Sequence, residues 1–328
     1  ADPVALIPCV TVDFSSTFAF SQMFVALVQY DDVMNPLPYA AESWEIQPDG
    51  LKYTFHLDDD LDWSDGVPLT SEDVKYSWEE AMANYHPRGP LLWGYVDSIE
   101  TPDPKTVVFN MKSPFPAFMN YLGISEAGIL PKHVYEGLDL TTDPKVTNPP
   151  VVSGPYMFKE WVKGSHVILE RNPTYFREGK PYFDQYILVI MPNVASRALA
   201  LEAGEIDMLP AAPLTEVERL KNLGFEVSYL ASVPTAQSLI FFNMHMNEGH
   251  TVTSNVKVRQ AIAYALDTDD IAEKVTFGLS PPGTSQFPST LKYYNPNVPQ
   301  YDLDEAKANQ LLDEARFPRG NDGYRFTI

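Results

Sequence analysis

Near the C-terminal end of the chain runs Val258-Arg259-Gln260-Ala261-Ile262-Ala263-Tyr264-Ala265-Leu266-Asp267, and well before it stands Ser153-Gly154-Pro155-Tyr156. In the first stretch Val258 and Ile262 lie four residues apart, which predicts a helix with one apolar face. Arg259 lies off that face. The second stretch combines turn-forming residues with the start of an alternating apolar pattern, which is typical of the entry to a strand.

Alternating apolar residues predict several further strands. Residues 156–161 and 166–171 should form a hairpin that turns at Lys163-Gly164, and 52–57 and 106–111 read as strands bounded by turn residues. Further extended segments are predicted over 184–191, 206–209, 225–230 and 237–243. The alternation in each is short, so each strand should be short as well.

Helices are predicted between these strands. Thr70 stands three residues before Asp73, an acidic variant of the capping box, and apolar residues follow at three- and four-residue spacing: Val74, Trp78, Ala81, Met82 and Tyr85. Asn193 should cap a helix that reaches 203 and stops at Gly204. Others are expected over 214–223, 256–266, 269–275 and 303–315. The sequence therefore predicts a mixed α/β, or α+β, architecture with more than one lobe.

The composition of the chain limits the kinds of molecule that it can bind. The chain has 328 residues, 45% of them hydrophobic, which is enough for a substantial core and about two domains. Its formal net charge is -21 at pH 7 and its pI is about 4.5, so it repels phosphate backbones, and nucleic acid is excluded as a partner. The sequence has 1 cysteine, Cys9, so no disulfide can form within it. No run of about 18 uncharged apolar residues occurs, and the N-terminus has neither a basic start nor an apolar run. If the protein is exported, we expect that its signal peptide has been removed.

Seven motifs in order resemble a known family. They include Pro38 with Ala41-Glu42-Ser43-Trp44, the run from Trp63-Ser64-Asp65-Gly66 to Glu72-Asp73-Val74, the Ser153 stretch with Glu170-Arg171-Asn172-Pro173, and the Arg259 helix. Trp161, Gly164, Ala203-Gly204-Glu205-Ile206-Asp207 and Phe242-Asn243 complete the set. Together they resemble the dipeptide-, oligopeptide- and nickel-binding family 5 of bacterial extracellular solute-binding proteins. Each motif has a structural reading as a turn, a core residue or a strand end, so the motifs identify the scaffold and not the ligand pocket.

The resemblance implies a two-lobed clamshell like that of periplasmic binding proteins, with an extra subdomain on lobe I. It assigns residues 1–41 and 153–240 to the core of lobe I, 42–152 to the extra subdomain and 241–328 to the start of lobe II. Family members begin with a strand before the segment seen here as Asp2-Pro3-Val4-Ala5-Leu6-Ile7-Pro8, and they continue past Ile328. We therefore expect the chain to lack that first strand and the C-terminal part of lobe II.

The function implied by the resemblance is binding and hand-over of a solute. The chain is expected to be the extracytoplasmic component of an ABC importer, periplasmic or extracellular, with or without a lipid anchor. It should act as a monomer that delivers di- or oligopeptides to membrane permease subunits, with no cofactor and no catalysis. Oligosaccharides and nickel or another metal chelate are the alternatives within the same fold. From other classes, a sensing module of a regulator and a glycan-processing enzyme stay open.

Candidate ligand contacts follow from where the resemblance places two segments. They are Phe14, Ser15, Ser16, Thr17, Phe18, Phe20 and Trp93. Hydroxyls and aromatic rings suit a hydrated, adaptable pocket. The alternative is structural, because Phe14, Phe18 and Phe20 could belong to the core and Trp93 could close the subdomain.

Metal and catalytic motifs are weak. One cluster has the soft thioether and imidazole ligands that suit copper or nickel, namely Met244, His245, Met246 and His250, but Asn247 and Gly249 within it are typical of an exposed loop. The acidic run Asp58-Asp59-Asp60-Leu61-Asp62 lacks the glycine of a calcium loop, because its sixth position is Trp63. Neither a G-x-S-x-G elbow nor an H-E-x-x-H motif occurs.

Overall fold

The computed structural model describes residues 1–228, 242, 252–283, 285 and 294–325. The chain divides into two compact units, Ala1–Met208 and Leu209–Ile328. The finer division into a lobe I core, an extra subdomain and the onset of lobe II stays a prediction.

Among the residues that the structure describes, all strands lie in the first unit. They are β1 (Val28–Tyr30), β2 (Pro36–Pro38), β3 (Ala41–Ile46), β4 (Lys52–Leu57), β5 (Val96–Asp103), β6 (Thr106–Met111), β7 (Tyr156–Val162), β8 (His166–Arg171) and β9 (Gln185–Val189). They form a β1-β2 hairpin, a four-stranded sheet in the order β3-β4-β6-β5 and a three-stranded sheet in the order β7-β8-β9. Every pair is antiparallel.

The helices of the first unit are mostly short. They are α1 (Phe14–Phe20), α2 (Ser71–Tyr76), α3 (Ala83–Tyr85), α4 (Gly89–Trp93), α5 (Ile124–Ala127), α6 (Lys132–Tyr135) and α7 (Val194–Glu202). A π-helical segment, Ser77–Met82, joins α2 to α3, and 3-10 turns occur at Phe118–Tyr121 and Pro144–Val146. The second unit contains α8 (Leu214–Asn222), α9 (Val256–Tyr264), α10 (Thr268–Thr276), α11 (Glu305–Glu314) and a 3-10 turn at Val252–Ser254.

The four-stranded sheet holds the apolar core of the first unit. Alternation along β4 directs Tyr53, Phe55 and Leu57 to one face, and all three are buried. The Trp78 ring lies 5.1 Å from that of Phe109 on β6, in an edge-on contact between centroids. Burying aromatic side chains of this size stabilises the fold by roughly 1.5–3 kcal/mol each. The helical segment that begins at α2 thus packs its apolar face on the sheet, as the three- and four-residue spacing predicts.

The capping prediction for α2 is confirmed. The Thr70 backbone N–H donates to Asp73 Oδ2 across 2.8 Å, and the Thr70 hydroxyl donates to the same oxygen across 3.2 Å. The opposite carboxylate oxygen of Asp73 accepts the Lys132 backbone N–H at 2.8 Å. One acidic side chain therefore ends the loop before α2 and fixes the start of α6.

Most predicted elements are present. The strands over 52–57 and 106–111 have the predicted bounds, and the hairpin of β7 and β8 turns where Gly164 has a φ of +76°. Asn193 caps α7 by accepting the Ala195 backbone N–H at 2.9 Å. The strand predicted over 225–230 is wrong for its described part, because residues 225–228 are irregular, as are 206–209. The strand predicted over 237–243 lies outside the described residues except for Phe242.

In the second unit α9 packs against α11. One buried apolar cluster at this contact consists of Ala261 of α9 and Ala308 and Leu311 of α11. Arg259 lies off this face, as predicted, and donates from Nη1 to the carbonyl oxygens of Thr253 and Ser254 at 2.9 and 3.0 Å. These bonds tie the Arg259 side chain to the turn that precedes α9.

Within the described part of the chain, no helix combines the length and the apolar character needed to cross a bilayer.

Candidate functional site

The helix α1 carries six of the seven predicted contact residues. Asp13 starts it: its Oδ1 accepts the Ser16 backbone N–H at 3.0 Å, and its other oxygen accepts the Thr11 hydroxyl at 2.9 Å. The sequence analysis missed this helix. The signal was an aspartate in the N-cap position, followed by Phe14 and Phe18 at the four-residue spacing of neighbours on one helix face.

One face of α1 is buried. Ser16 and Phe20 are 0% exposed, and Ser16 Oγ accepts the backbone N–H groups of Val4 and Ala5 at 2.8 and 3.1 Å. Ser16 therefore fastens α1 to the start of the chain, and Phe20 belongs to the core. An external ligand has no access to either side chain in this structure, so we omit both from the contact set proposed below.

The other face of α1 is apolar and accessible. Phe14 is 62% exposed, and its ring centroid lies 4.5 Å from that of the half-buried Phe18. Ser15 and Thr17 are half-buried beside them. We call Phe14, Ser15, Thr17 and Phe18 the α1 surface. It carries no charged side chain, and an exposed aromatic pair next to hydroxyls is the kind of surface that binds ligands.

The Ser153-Gly154-Pro155-Tyr156 motif holds the segment that follows α1. The N–H groups of Ser153 and Gly154 donate to the Met23 carbonyl at 3.1 and 2.7 Å, and the Tyr156 N–H donates to the Gln22 carbonyl at 2.9 Å. A Cβ atom on Gly154 would lie 2.6 Å from the Met23 carbonyl carbon. Glycine is therefore required here by close backbone approach.

The remaining motif residues secure the start of the chain. Asp2 Oδ1 accepts the Gly164 backbone N–H at 2.8 Å and the Trp161 indole N–H at 3.2 Å. The Gly164 hydrogen bond is the main cause of a lowered pKa for the Asp2 carboxyl. The family motifs, which the sequence predicted to be structural, thus anchor the segment before α1 and the segment after it.

Trp93 lies at a second place on the first unit. It is the last residue of α4, is half-buried and packs against the core, and its carbonyl accepts the Lys112 Nζ at 3.4 Å. Among the described residues, no hydrogen bond or ring contact links Trp93 to α1. We therefore treat Trp93 and the α1 surface as two separate candidate contacts.

The predicted metal alternative falls outside the described residues, because they do not include Met244, His245, Met246 and His250. Within the ranges that are described, no three His, Cys, Asp or Glu side chains are grouped to hold a metal ion.

Comparison with known proteins identifies the scaffold. The family described as bacterial extracellular solute-binding proteins, family 5 Middle, matches residues 35–328. The chain belongs to this family. The resemblance drawn from the motifs is thereby confirmed, and so is the predicted fold class, a mixed α/β chain in a family of two-lobed proteins.

Three members of the family illustrate the range of likeness. A putative ABC transporter peptide-binding protein of Brucella ovis is 30% identical over 312 residues, which cover 93% of this chain and 57% of that protein. NikZ from Campylobacter jejuni, solved in complex with Ni(L-His), has a TM-score of 0.78 at 26% identity. The match covers 100% of this chain and 64% of the NikZ chain. The periplasmic binding protein DppA from Helicobacter pylori, solved with the peptide STSA, has a TM-score of 0.76 at 28% identity. The match covers 98% of this chain and 65% of the DppA chain. The chain spans less than two thirds of the length of each of these family 5 proteins.

Proposed function

We propose that this chain belongs to the substrate-binding component of an ABC importer and that its solute is a peptide. The observation that carries the proposal is the α1 surface, an accessible aromatic pair on a helix that the family's own motifs hold in place. Membership of the solute-binding family and the peptide-binding name of the Brucella ovis relative support it.

The chemistry of the α1 surface favours a peptide over an anion. Phe14 and Phe18 offer apolar area to a side chain, while the hydroxyls of Ser15 and Thr17 can bond a backbone directly or through water. No cation on α1 could pair with a carboxylate or a chelate, and the chain's net charge of -21 repels anions. Phe14, Ser15, Thr17, Phe18 and Trp93 form the contact set that we propose.

Location and partners follow from the same proposal. We place the protein in the periplasm or outside the cell, free or lipid-anchored, where it acts as a monomer and delivers its ligand to membrane permease subunits. It acts by binding and hand-over, without catalysis. The support for these points is the family and the periplasmic description of DppA.

Native mass spectrometry tests the proposal. The complete protein is purified without refolding, so that a retained ligand stays bound, and the mass difference between native and denatured spectra is measured. A mass matching a short peptide is the expected result. A hexose ladder would instead establish an oligosaccharide carrier, and turnover of a chromogenic glycoside would establish an enzyme; either result contradicts the proposal.

A metal chelate is the second candidate, and the likeness to NikZ with Ni(L-His) is what favours it. The same purified sample distinguishes the two ligands by elemental analysis. A stoichiometric amount of nickel, with no peptide mass, would replace the first candidate by the second.

A further inference from the structure

The corner between α3 and α4, residues 86–89, is locked at its backbone. The His86 N–H donates to the Met82 carbonyl at 3.1 Å, and the Gly89 N–H donates to the His86 carbonyl at 2.9 Å. A Cβ atom on Gly89 would lie 1.9 Å from the Met82 carbonyl oxygen. The chain therefore turns into α4 through a corner that tolerates little displacement.

The imidazole of His86 completes this corner from inside the protein. His86 is 2% exposed, and its Nδ1 accepts the backbone N–H of Arg88 at 3.2 Å. A ring nitrogen accepts a hydrogen bond only when it carries no proton, so this bond assigns the neutral imidazole with its proton on Nε2. The corner as observed therefore needs an uncharged His86.

An ion pair secures the same corner from outside. The Arg88 guanidinium donates from Nε to Glu126 Oε2 at 2.8 Å and from a terminal nitrogen to Glu126 Oε1. Glu126 lies on α5, and its side chain is only 12% exposed, against 43% for Arg88. Its Oε2 also lies 3.7 Å from His86 Nε2. Two contacts in a planar fork position a side chain more rigidly than a single contact does.

The corner leads directly to Trp93. Arg88 is the N-cap residue of α4, and Trp93 is the last residue of that five-residue helix. Because a single short helix separates them, the position of the Arg88 backbone helps to set the position of the indole, together with the core residues on which Trp93 packs. Among the described residues, the charged and titratable groups that act on the corner are Glu126 of α5, Arg88 itself and Tyr121 of the nearby 3-10 turn.

We propose that His86, Arg88 and Glu126 are positioning residues that hold Trp93 in place while His86 is neutral and release it when His86 takes up a proton. Protonation places an N–H donor at Nδ1 against the N–H donor of Arg88, so the bond that fixes the N-cap of α4 is lost. It also places a second cation beside Glu126, which competes with Arg88 for the carboxylate. The inference rests on the proposed function only in assigning Trp93 to the ligand.

The pH range follows from the surroundings of His86. Burial lowers the pKa of His86 from its ordinary value of 6.5, Glu126 offsets part of that effect, and Arg88 adds to the lowering. The stability that the neutral imidazole contributes to the fold is therefore fully present above pH 6.5. It is lost as the pH falls through the lowered pKa of His86 in the folded protein. Release of Trp93 is expected on the acidic side of pH 6.5.

Iodide quenching of tryptophan fluorescence measures this release without any ligand. The signal of Trp93 is obtained from the complete protein by subtracting the signal of a Trp93→Phe variant, which retains the other four tryptophans, Trp44, Trp63, Trp78 and Trp161. Trp63 and Trp78 are 0% and 1% exposed and contribute little to quenching, whereas the contributions of the half-buried Trp44 and Trp161 are removed by the subtraction. We expect quenching of Trp93 to rise about twofold between roughly pH 7.5 and pH 5, the range over which histidines titrate. Circular dichroism at each pH confirms that the protein stays folded.

Two variants and one control make the test specific. His86→Asn supplies an oxygen that can accept the Arg88 N–H but does not titrate, so quenching should stay low at every pH. Glu126→Gln removes the ion pair and should raise quenching already at neutral pH, whereas Glu136→Gln, which removes an acid paired with Lys132 at 3.9 Å, should behave as the wild type. A wild-type signal independent of pH would overturn the proposal, as would a His86→Asn variant that titrates like the wild type. Failure of peptide binding would leave both results unaffected, so the two proposals are tested separately.

Discussion

Asn172 donates from its side-chain nitrogen to the carbonyl oxygen of Gly154 across 2.8 Å, and its backbone N–H donates to the neighbouring Pro155 carbonyl at 2.9 Å. Its side-chain oxygen accepts the N–H and the hydroxyl of Thr174 at 3.1 and 2.9 Å. Because Asn172 is 2% exposed, water cannot replace these bonds. The two motifs that contain Asn172 and Gly154 thus form one structural joint beneath the segment that leads out of α1.

Replacing Asn172 by alanine should therefore weaken the fold. The Gly154 carbonyl would be buried without its donor, which costs about 1–3 kcal/mol. Thermal unfolding followed by circular dichroism should show a midpoint several degrees lower. Asn222→Ala serves as the control because Asn222 is exposed at the end of α8, and equal midpoints for the two variants would contradict this account.

Gly154→Ala should be more damaging. The added Cβ would lie 2.6 Å from the Met23 carbonyl carbon and 2.8 Å from the Phe24 nitrogen, and both are backbone atoms that cannot rotate away. We expect a loss of about 2–4 kcal/mol in the free energy of unfolding, measured by denaturant titration. Gly283→Ala is the matched control, because a Cβ there meets nothing within 4 Å. A Gly154→Ala protein as stable as the control would show that the close approach is not limiting.

Phe14→Ala should separate binding from stability. The side chain is 62% exposed, so its removal should change the free energy of unfolding by no more than about 0.5 kcal/mol. If Phe14 packs on the ligand, peptide affinity measured by calorimetry should fall roughly tenfold, equivalent to about 1.4 kcal/mol.

The control for this prediction is Phe183→Ala. Phe183 is also an exposed phenylalanine, at 73%, but it lies beside β9 and away from α1 in the sequence. Its removal should leave affinity unchanged. A loss of affinity that is equal in both variants would remove Phe14 from the proposed contact set.

Cys9 should be unreactive in the folded protein. It is 1% exposed, and burial raises the pKa of its thiol to about 12, so the reactive thiolate is scarce at pH 8 and becomes abundant only near pH 12. A chromogenic disulfide reagent at about pH 8 should label the native chain slowly and the denatured chain at once. With 1 cysteine in 328 residues, the labelling rate reports the opening of a single site. Immediate stoichiometric labelling of the native protein would contradict the burial of Cys9.

Elements with a clear period were predictable from the sequence, and brief ones were not. The six-residue alternation of β4 and the long apolar stripe after Thr70 contain enough repeats to fix their type. The helix α1 has only 7 residues, and its phenylalanines fit alternation nearly as well as helical spacing. The helical conformation is stabilised over the extended one by contacts with other segments of the chain, above all the hydrogen bonds of Ser16 with residues 4 and 5.

The candidate site divides in the same way. Aromatic and hydroxyl residues in the 14–20 segment were identified from the sequence, but which of them face outward was not. Ser16 and Phe14 are two residues apart and of opposite exposure, 0% and 62%, because the helix turns them to different faces. The corner at His86 gave no signal at all, since its partners Arg88 and Glu126 are separated by 38 residues.

The sequence by itself determined the family, the type of the longer elements and the residues that act as scaffold, because periodicity, turn chemistry and motif order are properties of neighbouring residues. Only the tertiary structure decided which side chains are accessible, why Gly154 must be glycine and how Trp93 is held. Those outcomes depend on which backbone and side-chain groups from distant segments pack around each residue. The pattern of neighbouring residues in the sequence does not specify these long-range contacts.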